Sequence, residues 1–155
     1  SFTNAGIYDN AMQNDLLTVG NAQVSTSVVK YGSGSMYFDG TGDWVLANDG
    51  PNLQIGTGDF TVEMWAYPTS GTGYRCLIGK GSASTGWAIF ADTTGYWAFT
   101  DTAANNVSTT AVQLNVWVHL ALVRYGTTMK LYVNGVSAVS ATSSTNFNQI
   151  GRAHV

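Results

Sequence analysis

The chain has 155 residues, of which 45% are hydrophobic and only 10% charged, with a formal net charge of -3. That length can bury a core without metal or disulfide staples, and the lack of any Lys/Arg cluster argues against a nucleic acid partner. One cysteine forbids an intrachain disulfide, and no apolar run reaches the ~18 residues of a membrane span, so no membrane insertion is expected.

Eighteen glycines and two prolines punctuate short apolar runs, the pattern of many strands joined by turns. Residues 1–20 read as an irregular, Asn-rich amino-terminal arm, with a first strand somewhere before residue 34. Strands are expected at 23–28, 35–38 and 44–47, followed at 50–59 by a turn-rich stretch read as a surface loop or one short turn of helix. The clearest strand is 60–67, where Phe60, Val62, Met64 and Ala66 share one face and Thr61, Glu63, Trp65 and Tyr67 the other. Further strands are expected at 74–80, 87–91, 96–100, 106–109, 116–125 and 129–133. Asn134-Gly135 lies between two apolar stretches, where it suits the paired positive φ angles of a type I′ hairpin. A last hairpin strand then runs from Val136.

Four passages carry a family likeness: Ser35-Met-Tyr-Phe-Asp-Gly-Thr-Gly-Asp-Trp-Val, Phe60-Thr-Val-Glu-Met-Trp-Ala-Tyr-Pro68, Trp117-Val-His-Leu-Ala-Leu-Val-Arg-Tyr-Gly126 and Leu131-Tyr-Val-Asn-Gly135. In order and spacing they resemble the laminin-G-like, concanavalin A-like jelly roll. The resemblance implies an all-β fold, a two-sheet antiparallel sandwich over residues 1–155, and a binding module placed outside the cell or on a virion surface. In this family the segment like 148–151 is followed by one more strand. Here the chain stops at Val155, so that strand is expected to be absent and its sheet edge open to a neighbouring subunit.

A glycosidase would need two carboxylates at a set separation, and Glu63 is the sole glutamate. Its strand offers no second acid, so no catalytic residue is expected. His119 is read as a half-buried strand histidine, His154 as a fraying residue and Cys76 as a small hydrophobe of a strand. Arg124 is read as a carbonyl cap or salt-bridge partner, with a ligand contact as the other reading. Asp39 and Asp43 flank Gly40-Thr-Gly42 and are the candidate ligands of a structural calcium ion (Ca2+), which related jelly rolls often bind; both residues are equally what a turn prefers. Aromatics crowd the middle of the chain. Tyr67, Tyr74, Trp87, Tyr96 and Trp97 are candidate platforms for sugar rings, with polar loops at 82–86, 92–95 and 101–108 beside them, although a sheet core uses the same residues.

The expected function is non-catalytic recognition of a glycan or a protein surface, in the manner of a lectin or adhesin. The alternative is a structural virion protein, such as a phage capsid decoration or tail component, assembling as a homo-oligomer or with other virion proteins. A glucanase would require a second carboxylate across a cleft from Glu63.

Overall fold

Successive side chains of a pleated strand leave on opposite faces, so a chain of short alternating runs separated by glycine must build sheets and stack them. The structure, a computed structural model, describes residues 7, 9–11, 14–71, 73–81, 86–102, 104–148 and 153–154, the last two by backbone alone. The strands are β1 (Leu16–Val19), β2 (Gln23–Ser25), β3 (Ser35–Tyr37), β4 (Trp44–Ala47), β5 (Phe60–Ala66), β6 (Arg75–Lys80), β7 (Trp87–Ala91), β8 (Tyr96–Thr100), β9 (Asn105–Ala111), β10 (Val118–Tyr125), β11 (Thr128–Val133), β12 (Val136–Thr142) and β13 (Ala153–His154). One 3₁₀ turn, Pro51–Leu53, sits in the expected loop, and no α-helix occurs among the described residues.

A seven-stranded sheet in the order β1-β4-β13-β6-β7-β8-β9 faces a four-stranded sheet in the order β12-β11-β10-β5. Every pairing is antiparallel, as the expected sandwich requires. Trp87, Ile89, Ala91, Trp97 and Phe99 from the larger sheet meet Leu120, Leu122, Met129 and Leu131 from the smaller one in a single core cluster. Asn134 and Gly135 turn β11 into β12 at φ 50° and 79°, the two positive values that a type I′ turn demands. β2 and β3 form a separate hairpin.

The carboxyl end departs from expectation. Instead of an open edge, β13 lies inside the larger sheet: Ala153 pairs with Ala47 and Lys80, and His154 with Leu46 and Gly79. Two residues have no period to read, so nothing in the sequence marks this strand. The sheet position expected to stay open to a neighbouring subunit is therefore filled. Of the expected arm, residues 1–6, 8, 12 and 13 lie outside the described residues, while Leu16–Val19 pairs with β4.

Candidate functional site

Register fixes which side chains leave the outer face of the larger sheet. Cys76, Phe90, Ala98 and Val107 stand opposite one another across β6, β7, β8 and β9, and so do Gly79, Ala88, Thr100 and Asn105. These positions alternate with the core residues Ile89, Ala91, Trp97 and Phe99, so they point away from the four-stranded sheet. Ala88, Phe90 and Ala98 form a small buried cluster of their own. On β4, Val45 packs inward with Ile7 and Ala22, which turns its neighbour Trp44 to the outer face, where it is exposed.

Two expected platform residues stand on this face. Tyr74 is 51% and Tyr96 38% exposed. Arg75 pairs with Ala91, and Ala91 with Trp97, so the positions one step before Arg75 and Trp97 lie level, two strand spacings or about 10 Å apart. The Tyr74 ring packs on Phe90 with centroids 4.6 Å apart. Partial burial, and then the Cys76 thiol, raise the Tyr74 phenol above its ordinary pKa, which keeps it a protonated donor at neutral pH. Burial likewise raises the Cys76 thiol, although the residue itself is exposed, so it is a poor nucleophile. Asp92 stiffens the turn before Tyr96 by accepting bonds from Thr94 Oγ1, Thr94 N and Tyr96 N.

The other aromatics go elsewhere. Trp97 is 2% exposed, and both it and Trp87 belong to the core cluster between the sheets. Neither presents a ring face to solvent. The Trp87 indole N–H is buried with no hydrogen-bond partner among the described residues. Tyr67 lies at the end of β5 with its ring 5.4 Å from that of Trp117. Arg124 is buried and donates to the carbonyls of Thr145 at 2.7 Å, Gly126 at 3.1 Å and Ser143 at 3.2 Å. That is the carbonyl cap among its expected readings. The loop at 82–85 lies outside the described residues.

Asp39 and Asp43 meet, but as anchors of a turn. Asp39 accepts from Thr41 N and Asn21 Nδ2, and Asp43 from Asn21 N and Asp39 N. The Thr41 backbone N–H and then the Asn21 side chain hold the Asp39 carboxyl below its ordinary pKa. Each of the four oxygens faces an N–H donor, a poor fit to the oxygen cage a hard cation needs. No group of three or more His, Cys, Asp or Glu able to hold a metal occurs among the described residues.

The four-stranded sheet carries a cluster that sequence reasoning missed. Lys30 Nζ lies 4.2 Å over the Trp65 ring, with Tyr31 edge-on at 6.0 Å and His119 at 5.1 Å. His119 Nε2 is 3.4 Å from Glu63 Oε2. Trp65 and Glu63 alternate outward on β5, so this cluster is separated from Tyr74 and Tyr96 by the whole sandwich. It ties the β2–β3 connection to the smaller sheet.

Two antiparallel sheets stacked over one apolar core define a jelly-roll sandwich. The chain belongs to the concanavalin A-like lectin/glucanases superfamily, whose pattern matches residues 38–154. No curated protein matches. Among solved structures, the binding domain of Paraclostridial Mosquitocidal Protein 1 aligns with a TM-score of 0.76 at 14% identity, covering 98% of this chain and 42% of that one. The carbohydrate binding module CBM66 from Bacillus subtilis aligns at 0.54 and 18% identity, covering 90% and 86%. A botulinum neurotoxin type C structure, described by its dependence on two ganglioside molecules for cell entry, aligns at 0.59 and 13%, covering 91% and 37%. This chain thus spans about two fifths of the toxin chains, and at these identities the likeness is one of fold.

Proposed function

We propose that this is a non-catalytic recognition module that binds a neutral glycan on the outer face of its seven-stranded sheet. The observation that carries the reading is the pair Tyr74 and Tyr96, about 10 Å apart by strand spacing, beside the uncharged strand positions Gly79, Ala88, Phe90 and Ala98. Apolar faces of two sugar rings span about that distance, and stacked rings with phenol hydroxyls at their rim use both halves of an amphipathic tyrosine. Trp44 extends the apolar face, and the exposed Asn105 supplies a polar partner. A module and a toxin of the same fold, described respectively as carbohydrate binding and ganglioside dependent, support a glycan as the ligand class, while its neutrality rests on the uncharged strand positions alone. Such a partner places the working face outside the cell.

Glu63 supports the non-catalytic half of the reading. It lies on the opposite sheet against His119, where Ala121 is its register partner on β10, and hydrolysis needs a second carboxylate roughly 5–9.5 Å away across a cleft. The test is a glycan array followed by calorimetry on the best neutral ligand. Tyr74→Ala and Tyr96→Ala are each expected to weaken binding about tenfold, or about 1.4 kcal/mol. Undiminished binding by the double variant would remove the site from this face.

A further inference from the structure

A carboxylate stands between the two tyrosine platforms. Arg75 pairs with Ala91, and Ala91 with Trp97, so Asp92, one step after Ala91, lies level with Tyr74 on one side and Tyr96 on the other. Asp92 N donates to Tyr96 O at 2.9 Å, which continues the ladder to this level. Asp92 is two residues on from Phe90 along the chain, which turns both side chains to the outer face. Each tyrosine is therefore one strand spacing, about 4.8 Å, from the aspartate.

Its hydrogen bonds leave it one acceptor site. Thr93, Thr94 and Gly95 make a three-residue hairpin loop, closed by Gly95 at φ 87°. Asp92 Oδ1 accepts from Thr94 N at 3.0 Å and Tyr96 N at 2.8 Å, and Oδ2 from Thr94 Oγ1 at 2.6 Å. A carboxylate has about four lone-pair sites, so Oδ2 keeps room for one more donor. No Lys or Arg lies within ion-pair distance of it among the described residues. The Thr94 hydroxyl and then the Tyr96 N–H hold the carboxyl below its ordinary pKa, which keeps it ionised at neutral pH. The turn thus fixes a negative charge, balanced by no cation, between two ring platforms.

We propose that Asp92 is the selective residue of the glycan site: it accepts a hydroxyl from the sugar unit that bridges the rings stacked on Tyr74 and Tyr96, and it turns acidic glycans away. The inference rests on the outer sheet face as the glycan site and extends that reading. A sugar unit is about as long as one strand spacing, so the rings over the two tyrosines are the first and third of three. The middle unit then lies over the end of β7, with a hydroxyl against Oδ2. A carboxylate or sulfate on that unit would meet a like charge with no cation beside it. At roughly 4 Å in water such repulsion lowers affinity about fivefold. The ligand class is a neutral glycan of three or more units that crosses the strands.

The experiment is an array of neutral mono- to pentasaccharides printed beside the sulfated, uronate and sialylated forms of the same backbones, with calorimetry on the strongest neutral glycan and its shorter homologues. The wild type is expected to bind neutral trisaccharides at least tenfold more tightly than disaccharides, and about fivefold more tightly than their acidic forms. Asp92→Asn keeps an oxygen for Thr94 N and Tyr96 N, so it is expected to fold as the wild type does and to lose the preference for neutral over acidic forms. Asp92→Ala also releases the Tyr96 turn and is expected to lose at least tenfold on every neutral glycan. An Asp92→Asn variant that rejects acidic glycans as strongly as the wild type would overturn the proposal, and so would equal wild-type affinity for two units and three. Tyr74→Ala and Tyr96→Ala separate that failure from a failure of the site itself. Lost binding in both, beside an unchanged Asp92→Asn, keeps the face and removes only the aspartate, whereas undiminished binding in both removes the face as well.

Discussion

Replacing Arg124 by Met tests whether this buried cation serves the fold or a ligand. Its guanidinium reaches three loop carbonyls, of Gly126, Thr145 and Ser143, at 3.2 Å or less, and stands 5.4 Å from the Phe147 ring centroid. A longer contact at 3.5 Å reaches Gly56 O. No carboxylate lies within ion-pair distance among the described residues, so backbone oxygens alone take up the charge. Three bonds from a charged donor contribute about 1.5–3 kcal/mol each, while removing the guanidinium also relieves its desolvation; the balance is a loss of about 4 kcal/mol. For a chain of this length that corresponds to a fall in Tm of roughly 8–16 °C. Thermal unfolding by circular dichroism reads it directly, with Arg124→Lys falling in between because an ammonium lacks the planar fork. A Tm within about 2 °C of wild type, together with lost ligand affinity, would refute the reasoning and return Arg124 to the binding site.

Trp97→Ala is expected to cost about 3–5 kcal/mol in urea unfolding through the cavity it leaves; a smaller loss would mean that the ring is not in the core. The Thr94 hydroxyl and then the Tyr96 N–H hold the Asp92 carboxyl below its ordinary value of 3.8, as the Thr41 N–H and Asn21 do for Asp39. Stability from carboxyls lowered in this way is present above pH 3.8 and lost as pH falls through their folded values, so Tm should hold from neutral pH down to about 5 and drop below 4. Asp92→Asn should blunt that drop, and equal acid sensitivity would discount the turn. Because the Asp39 and Asp43 oxygens face N–H donors, millimolar calcium or its chelator should leave Tm unchanged, and a rise of several degrees with calcium would reveal a cation site.

Most strands were legible because their boundaries coincide with glycine turns and their faces alternate. The expected 87–91, 96–100 and 44–47 recur as β7, β8 and β4, and 60–67 loses one residue to become β5. Face assignment was the harder part. β7 is buried at every position, and β8 at all but Tyr96, so burial does not alternate along the central strands: the outward Ala88, Phe90 and Ala98 are as covered as the inward residues, and Trp87 and Trp97 look like any other aromatics. Trp65 was read only as the outward, partly polar side of β5. Its partners Lys30 and Tyr31 arrive from a loop 34 residues upstream, which no local pattern reveals. The two-residue β13 is visible only in the paired sheet.

That short strand also sets the order in which the molecule can be assembled. Chain segments 16–47 and 75–111 supply the two flanks of the larger sheet, and each can pair within itself as soon as it exists. In the strand order they are joined through residues 153–154, which lie about a hundred residues beyond β4 in the chain. Closing so long a loop for so few hydrogen bonds is slow, and topologies of this kind fold late and through exposed intermediates. On a ribosome the two flanks would remain neighbours without a seam until His154 had emerged. A chain halted before that point would leave β4 and β6 each with an unpaired edge that β13 otherwise covers.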